Sequence, residues 1–434
     1  MTNFPIIIFK CENSDRVTYI KSETAPNQSP NSIQAILQSG LAAAQQQDWL
    51  SVSNYLKQLP QTKSRNQPKR FILNQKDWKI AFSLALSMLL DADFQHQWSI
   101  TKILPLFGEN IIPTLTTLVK DTTTEADVRW FICQILGNFN NAAVILTLVE
   151  LLDSTTDREL ITIAGKTLTK IGDDAIDALQ DLLTRPQHRF LAVQSLYYIR
   201  TAKTIEPLLE IATDPEPKLR AIAIKALGSF HDSRIPPILI NALQDKVSNV
   251  RQESAIALGF RPDLCHDLNL VNHLRPLLFD FDLEVCRQAA VALCRMKNEA
   301  AAAALFEVLQ AETTPINLKL DLVKALGWNE ISVAIDYLAK ALPNSTAAVA
   351  EEIIVVLGRN TAASLKSQAA QVLVRFWQSQ SHILESPLLR QALATSLGEL
   401  GCDCGRKALE QLAKDSDRKV KLHGISALKK ISSN

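Results

Sequence analysis

One spacing constrains this chain more than any other feature: a unit of roughly 31 residues recurs through nine steps, within the length range of stacked structural repeats. Each unit is an amphipathic stretch, a short turn containing Asp, Pro or Thr, and a second amphipathic stretch ending in Leu-Gly or an equivalent. Residues 214–228 (DPEPKLRAIAIKALG), 245–259 (DKVSNVRQESAIALG) and 389–398 (LRQALATSLG) set the register. Carried along the chain, it marks equivalent positions 129, 161, 189, 220, 251, 286, 319, 350, 390 and 421. Units of this length bury their apolar faces only against their neighbours, so the pattern predicts a stack of helical pairs. Composition points the same way. Only 13 of 434 residues are Gly, while Ala and Leu are abundant, which favours an all-α chain.

Within a second stretch, the residue before the register position, the small pair three and four later and the Leu seven later share one helical face. In the 251 unit these are Val250, Ser254, Ala255 and Leu258. Small residues there let neighbouring helices approach closely. The terminal glycines Gly137, Gly228, Gly259, Gly327, Gly358 and Gly398 are expected to adopt the left-handed conformation that closes a helix. Ahead of the repeats, residues 1–30 read as a short strand pair (4–9 and 17–20) followed by a linker. Residues 31–59 read as a helical hairpin capped by Ser32 and Asp48, residues 60–75 as a basic linker, and residues 76–434 as the repeat array.

This arrangement resembles HEAT repeats. The six-residue spacing of Asp214 and Arg220, Asp245 and Arg251, and Asp415 and Lys421 sharpens the likeness. In the HEAT pattern the acid of the turn bridges to basic residues stacked in a ladder. The form V-R-x-x-A-A-x-A-L-G, best carried by 128–137, 219–228, 250–259 and 389–398, is most similar to the HEAT-like repeats of phycobilisome lyases. The likeness covers roughly 76–431 and implies a right-handed α-α superhelix of about ten hairpins behind a small N-terminal module. Cys286 stands in the basic position opposite Asp280, with Arg287 displaced by one, and Ile161 and Ala350 depart from it outright.

HEAT likeness specifies architecture strongly and function weakly. The leading expectation is a non-catalytic scaffold or assembly factor, without cofactor, that binds a protein partner along its concave face. The phycobilisome likeness implies an alternative, a phycobilin lyase or lyase-associated chaperone acting on phycobiliprotein subunits. A weaker alternative is a metal-dependent hydroxylase similar to deoxyhypusine hydroxylase, which holds iron with His-Glu pairs. His231-Asp232 and His266-Asp267 prompt that comparison, but they stand three and seven residues after their glycines, and no His-Glu dipeptide occurs. Ordinary loop residues are the preferred reading. Cys402 and Cys404 lack a second thiol pair to complete a zinc site. No phosphate-binding glycine loop, G-x-S-x-G or H-E-x-x-H motif is present.

Charge excludes further classes. Lys and Arg number 46 against 45 Asp and Glu, a balance that does not point to nucleic acid. No apolar run is long enough to cross a bilayer, and the N-terminus makes a poor signal peptide. Seven cysteines, an odd number, suggest reduced thiols and a cytoplasmic setting. The neutral total conceals blocks: residues 109–181 hold twelve acids and five bases, residues 406–434 eight bases and three acids. Residues 57–76 add six bases and no acid, so peripheral membrane contact stays open through the basic stretches. The Asp and Arg ladder itself reads as internal salt bridges tying each turn to its helix, in preference to a polyanion groove.

The candidate partner-binding residues sit one and two places after the register position. Trp130 and Phe131, Phe190 and Leu191, and Ala221 and Ile222 occupy these places first, with Tyr198 at the end of the second of these helices. They then turn polar at Gln252 and Glu253, Arg287 and Gln288, and Glu351 and Glu352. If they face a groove, its first half is aromatic, and aromatic anchors suit a partner. The competing expectation is that they pack against adjacent repeats.

Overall fold

The computed structural model describes residues 32–62 and 68–433, so the strand pair expected at 4–9 and 17–20 lies outside the described residues. The described residues are all-α and divide into two compact units, Met1–Phe139 and Asn140–Asn434. Among them the first unit contains three helical pairs: α1 (Ile33–Gln45) with α2 (Trp49–Gln58), α3 (Gln75–Asp91) with α4 (Phe94–Ile100), and α5 (Ile112–Lys120) with α6 (Ala126–Leu136). Ser32 accepts the N–H of Ala35 and Asp48 that of Ser51, each satisfying a donor that the first turn leaves orphaned. Asn74 and Asp93 do the same for α3 and α4. Between α2 and α3 the chain is pinned. Gln61 and Phe71 form an isolated antiparallel bridge, and the Phe71 N–H donates to the Leu106 carbonyl at 2.8 Å.

Nine pairs make up the described part of the second unit. They are α7 (Ala142–Ser154) and α8 (Arg158–Ile171), α9 (Ile176–Leu183) and α10 (Arg189–Ile199), α11 (Ile205–Ile211) and α12 (Pro217–Leu227), and α13 (Ile235–Ala242) and α14 (Ser248–Gly259). Next come α15 (Leu270–Leu274) and α16 (Leu283–Arg295), α17 (Glu299–Gln310) and α18 (Ile316–Trp328), and α19 (Ser332–Ala341) and α20 (Ala347–Gly358). The last pairs are α21 (Ala363–Gln378) with α22 (Pro387–Leu400) and α23 (Arg406–Leu412) with α24 (Arg418–Ser433). Each second helix packs on the second helix of the next pair, and the core lies between the two rows. In α14, Val250, Ser254, Ala255 and Leu258 are all buried, and the Ser254 hydroxyl donates to the Leu239 carbonyl of α13.

The register glycines do a different job from the one expected. The described glycines with positive φ are Gly108, Gly172 and Gly401, and none of the six is among them; Gly137 and Gly228 have φ of −66° and −57°. Five of the six (Gly228, Gly259, Gly327, Gly358 and Gly398) are instead points of close approach between second helices. A Cβ on Gly228 would lie 2.6 Å from Ala257 Cβ, one on Gly358 2.5 Å from Ser396 Cβ, and one on Gly398 2.7 Å from Ala427 Cβ. A methyl group at any of these sites forces neighbouring backbones apart.

The arginine ladder runs between repeats, not within them. Arg220 sends Nε and Nη2 to the two carboxylate oxygens of Asp245, both at 2.8 Å, and Nη1 to the main-chain carbonyl of Asp214 at 2.8 Å. Arg251 repeats the pattern on the Asp280 carboxylate (2.7 Å to each oxygen) and the Asp245 carbonyl (2.7 Å). Arg390 does so on Asp415 and the Leu384 carbonyl, and Arg189 pairs with Asp214. In the Asp214 and Asp245 turns, the acid six places before the arginine therefore meets it through the backbone, while its carboxylate belongs to the arginine of the preceding repeat. This corrects the pairing expected inside each turn. Asp415 is held by Arg390, and Lys421 is exposed.

Each ladder aspartate also accepts the N–H two residues on (Glu216, Val247, Asp282 or Asp417), which shapes the turn. Burial pushes the Asp245 carboxyl up, yet the Arg220 hydrogen bonds, the Val247 N–H and the nearby guanidinium charges hold it below the usual carboxylate range. The same balance holds Asp280 and Asp415 low. At the gaps in the ladder the contacts are rebuilt. The Cys286 thiol donates to the Asp280 carbonyl at 3.2 Å, and Arg287 reaches Asp321 at 2.8 Å. Beside Ile161, Asp153 is taken by Arg185 and His188 from the following turn.

Candidate partner-binding surface

Adjacent helical positions differ by about 100°, and this separates the paired candidates. Phe131, two places after its register position, is fully buried at 0% exposure. Its ring lies 5.1 Å from that of Phe94 and 5.2 Å from that of Trp130. Phe131 is therefore a core residue of the first unit, and its expected role as a partner contact is corrected. Leu191 takes the same direction and is half-buried: a Cβ built on Gly165 would lie 2.8 Å from its Cδ1, so Leu191 of α10 packs down onto α8. Ile222 of α12 is also half-buried.

In α6 and α10 the position one place after the register turns outward, whereas in α12 it is the buried Ala221. Phe190 is 49% exposed and Trp130 half-exposed. Two turns beyond Phe190 on the same face, Tyr198 is 60% exposed, with the Tyr197 ring edge-on at 4.9 Å. Further along the second unit this face becomes ionic. Lys225 of α12 meets Glu253 of α14 at 3.3 Å, and Arg287 of α16 meets Asp321 of α18.

Two residues that the repeat register passed over extend the aromatic surface of the first unit. Trp98 on α4 is 43% exposed and lies nearly parallel to Trp130, with ring centroids 6.3 Å apart and planes inclined by 28°. Phe94, one turn earlier, is 61% exposed. The signal that could have found them is the step from Trp98 to Trp130, which matches one repeat. The register was anchored on Leu-Gly helix ends, and α4 ends in Ser-Ile-Thr.

Asp232 is held by Arg234 at 2.9 Å, while His266 is fully exposed beside Asp267. Cys402 is half-buried and Cys404 exposed. Burial pushes the Cys133 thiol up to about 12 and the Cys294 thiol up to about 11, so both are poor nucleophiles at neutral pH. Among the described residues no group of three or more His, Cys, Asp or Glu could hold a metal ion. None of the described helices is long and apolar enough to cross a membrane.

A family model described as HEAT repeats matches residues 112–197 and 205–267. Over those residues the chain carries HEAT repeats. The match begins in the first unit and takes in the ladder residues Arg189, Arg220 and Arg251, while the finer likeness to phycobilisome lyases is not part of it. Among curated proteins none matches. Similar solved structures include human deoxyhypusine hydroxylase in complex with glycerol, at 23% identity and a TM-score of 0.28, covering 62% of this chain and 99% of that one. Another is the karyopherin Kap121p bound to the extreme C-terminus of the protein phosphatase Cdc14p, at 18% identity and a TM-score of 0.48, covering 92% of this chain and 53% of that one. Importin beta is similar at 13% identity and a TM-score of 0.47, covering 92% of this chain and 60% of that one. The HEAT-repeat chain thus spans between half and two thirds of the length of these last two proteins.

Proposed function

We propose that this HEAT-repeat chain is a non-catalytic scaffold or assembly factor that holds a protein partner along the outward side of its second helices. The observation that carries the reading is the split between neighbouring positions on those helices. Phe131 is fully buried and Leu191 packs onto α8, whereas Phe190 is exposed and Trp130 half-exposed. A large ring on a helix that is clamped on both sides loses little freedom on binding and gains its burial in full, which is how interface anchors work. The HEAT-repeat match supports a binding role over a catalytic one. The finer reading, in which the partner is a phycobiliprotein subunit, rests on the form of residues 128–137, 219–228, 250–259 and 389–398.

The test uses the full chain and a Phe190→Ala, Tyr198→Ala double variant as baits in extracts of the source cells. The expected outcome is a partner enriched on the parent and lost on the variant, with melting temperatures within about 2 °C of each other. An identical set of captured proteins on both baits would sink the proposal. Addition of a free bilin distinguishes the lyase reading, which requires a shift in the absorbance of the pigment.

A further inference from the structure

The surface bearing Phe94, Trp98 and Trp130 carries charge as well as rings. On α6, Asp127 is exposed one turn before Trp130, so carboxylate and indole share a face. Glu125, also exposed, stands at the start of the same helix. Neither forms an ion pair among the described residues, whereas two acids on second helices further along are paired, Glu253 with Lys225 and Asp321 with Arg287. Residues 91–136 hold six carboxylates (Asp91, Asp93, Glu109, Asp121, Glu125, Asp127) against Lys102, Lys120 and Arg129, and two of the six are engaged, Asp93 by His96 and Glu109 by Arg70. Of these cations, Arg129 is turned inward, its Nε donating to the Val119 carbonyl at 2.8 Å.

Two nearly parallel indoles with an unneutralised carboxylate beside them are a receptor for a particular chemistry. A cation is drawn to the face of an aromatic ring, most strongly to Trp. A guanidinium does more than an ammonium, because its plane stacks on the ring while its N–H fork engages a carboxylate. A proline-rich segment would use the rings but leave Asp127 idle, and an acidic one would be repelled. We infer that this surface binds an arginine-bearing, positively charged segment of a protein partner, with guanidinium groups stacked on Trp98 and Trp130 and paired with Asp127. The inference deepens the scaffold reading and rests on it only in expecting a protein partner.

The experiment measures fluorescence anisotropy of dye-labelled peptides on the full chain at low and physiological salt. The probes are four Arg-Gly units, four Lys-Gly units, four Asp-Gly units and a proline-rich peptide of equal length. The arginine peptide is expected to bind, the lysine peptide several-fold more weakly, and the other two not at all. Trp98→Ala and Asp127→Asn should each weaken the arginine peptide by roughly five- to tenfold. Asp127→Glu should recover most of that loss, Glu399→Gln on α22 should change nothing, and all four variants should melt close to the parent. Equal binding of the arginine and proline-rich peptides, or undiminished binding to folded Asp127→Asn, overturns the inference. An arginine peptide that fails to bind while the Phe190 and Tyr198 variant still loses its partner overturns the inference and leaves the scaffold reading standing. The reverse pattern does the opposite.

Discussion

At the scale of single residues, two phenylalanines at nearly equivalent places have opposite assignments, and stability separates them. Phe131→Ala removes a fully buried ring from a cluster with Phe94, Trp98 and Trp130. It is expected to cost about 3–5 kcal/mol, seen as a large fall in denaturation midpoint. Phe190→Ala, at a half-exposed position, is expected to cost less than about 1 kcal/mol. If the two variants melt alike, the division between packed and outward positions is wrong. The sequence brought both residues into view because the repeat fixed their place on a helix. It could not separate them: they stand a single helical position apart, and which side a neighbour covers depends on how closely the helices approach. The same limit hid Phe94 and Trp98, since α4 lacks the Leu-Gly ending that anchored the register.

Helix by helix, the repeat pattern made the elements legible, and the contacts between them were not. The spacing of Asp214 to Arg220 and Asp245 to Arg251 suggested bonds within a turn, yet each carboxylate is held by the arginine of the preceding repeat. Spacing in sequence cannot distinguish these pairings, because the two aspartates flanking an arginine stand at repeat-related places. Arg220→Ala breaks a bidentate pair and a carbonyl contact and is expected to destabilise by about 2–3 kcal/mol. Lys421→Ala, an exposed position, should fall within about 0.5 kcal/mol of the parent. Urea melts of both variants check this. The ladder also sets an acid limit. Asp245, Asp280 and Asp415 have folded pKa values below the unfolded value near 3.9. Their contribution is complete above about pH 5, begins to fall near the unfolded value and is lost as pH drops through the lower folded values. Between about pH 5 and about pH 2.5 the parent should therefore lose more stability than Arg220→Ala, narrowing the gap between them. A gap that stays constant across that range contradicts the assignment.

The register glycines make a matching point. Leu-Gly at a helix end suggested a left-handed cap, but the φ values are negative and the missing Cβ makes room for the next helix. Gly398→Ala replaces a poor helix former, a gain of about 1 kcal/mol, but drives a methyl to 2.7 Å from Ala427 Cβ. A net loss of about 1–2 kcal/mol is expected in a thermal melt. A stabilised variant would overturn the close-approach reading, and a left-handed cap would not explain it either.

For the molecule as a whole, stability in the second unit is a sum of repeats and of the interfaces between successive ones. The ladder gives that sum a direction, since Arg189, Arg220 and Arg251 each reach forward to the aspartate that opens the turn of the next repeat. Asp214, Asp245 and the turns they shape are thus interchangeable parts, and the chain can be shortened by editing. Joining Asp214 directly to Lys246 excises one full register step. Arg189 then keeps Asp214 as its carboxylate, and Arg251 finds the Asp214 carbonyl where it had found that of Asp245. Such a deletion should yield a soluble, fully helical protein that unfolds in one transition, as followed by circular dichroism. Excising only part of a step would leave the two turns out of phase and should yield an aggregating chain. The number of repeats in the second unit becomes a quantity that inheritance adjusts in whole steps.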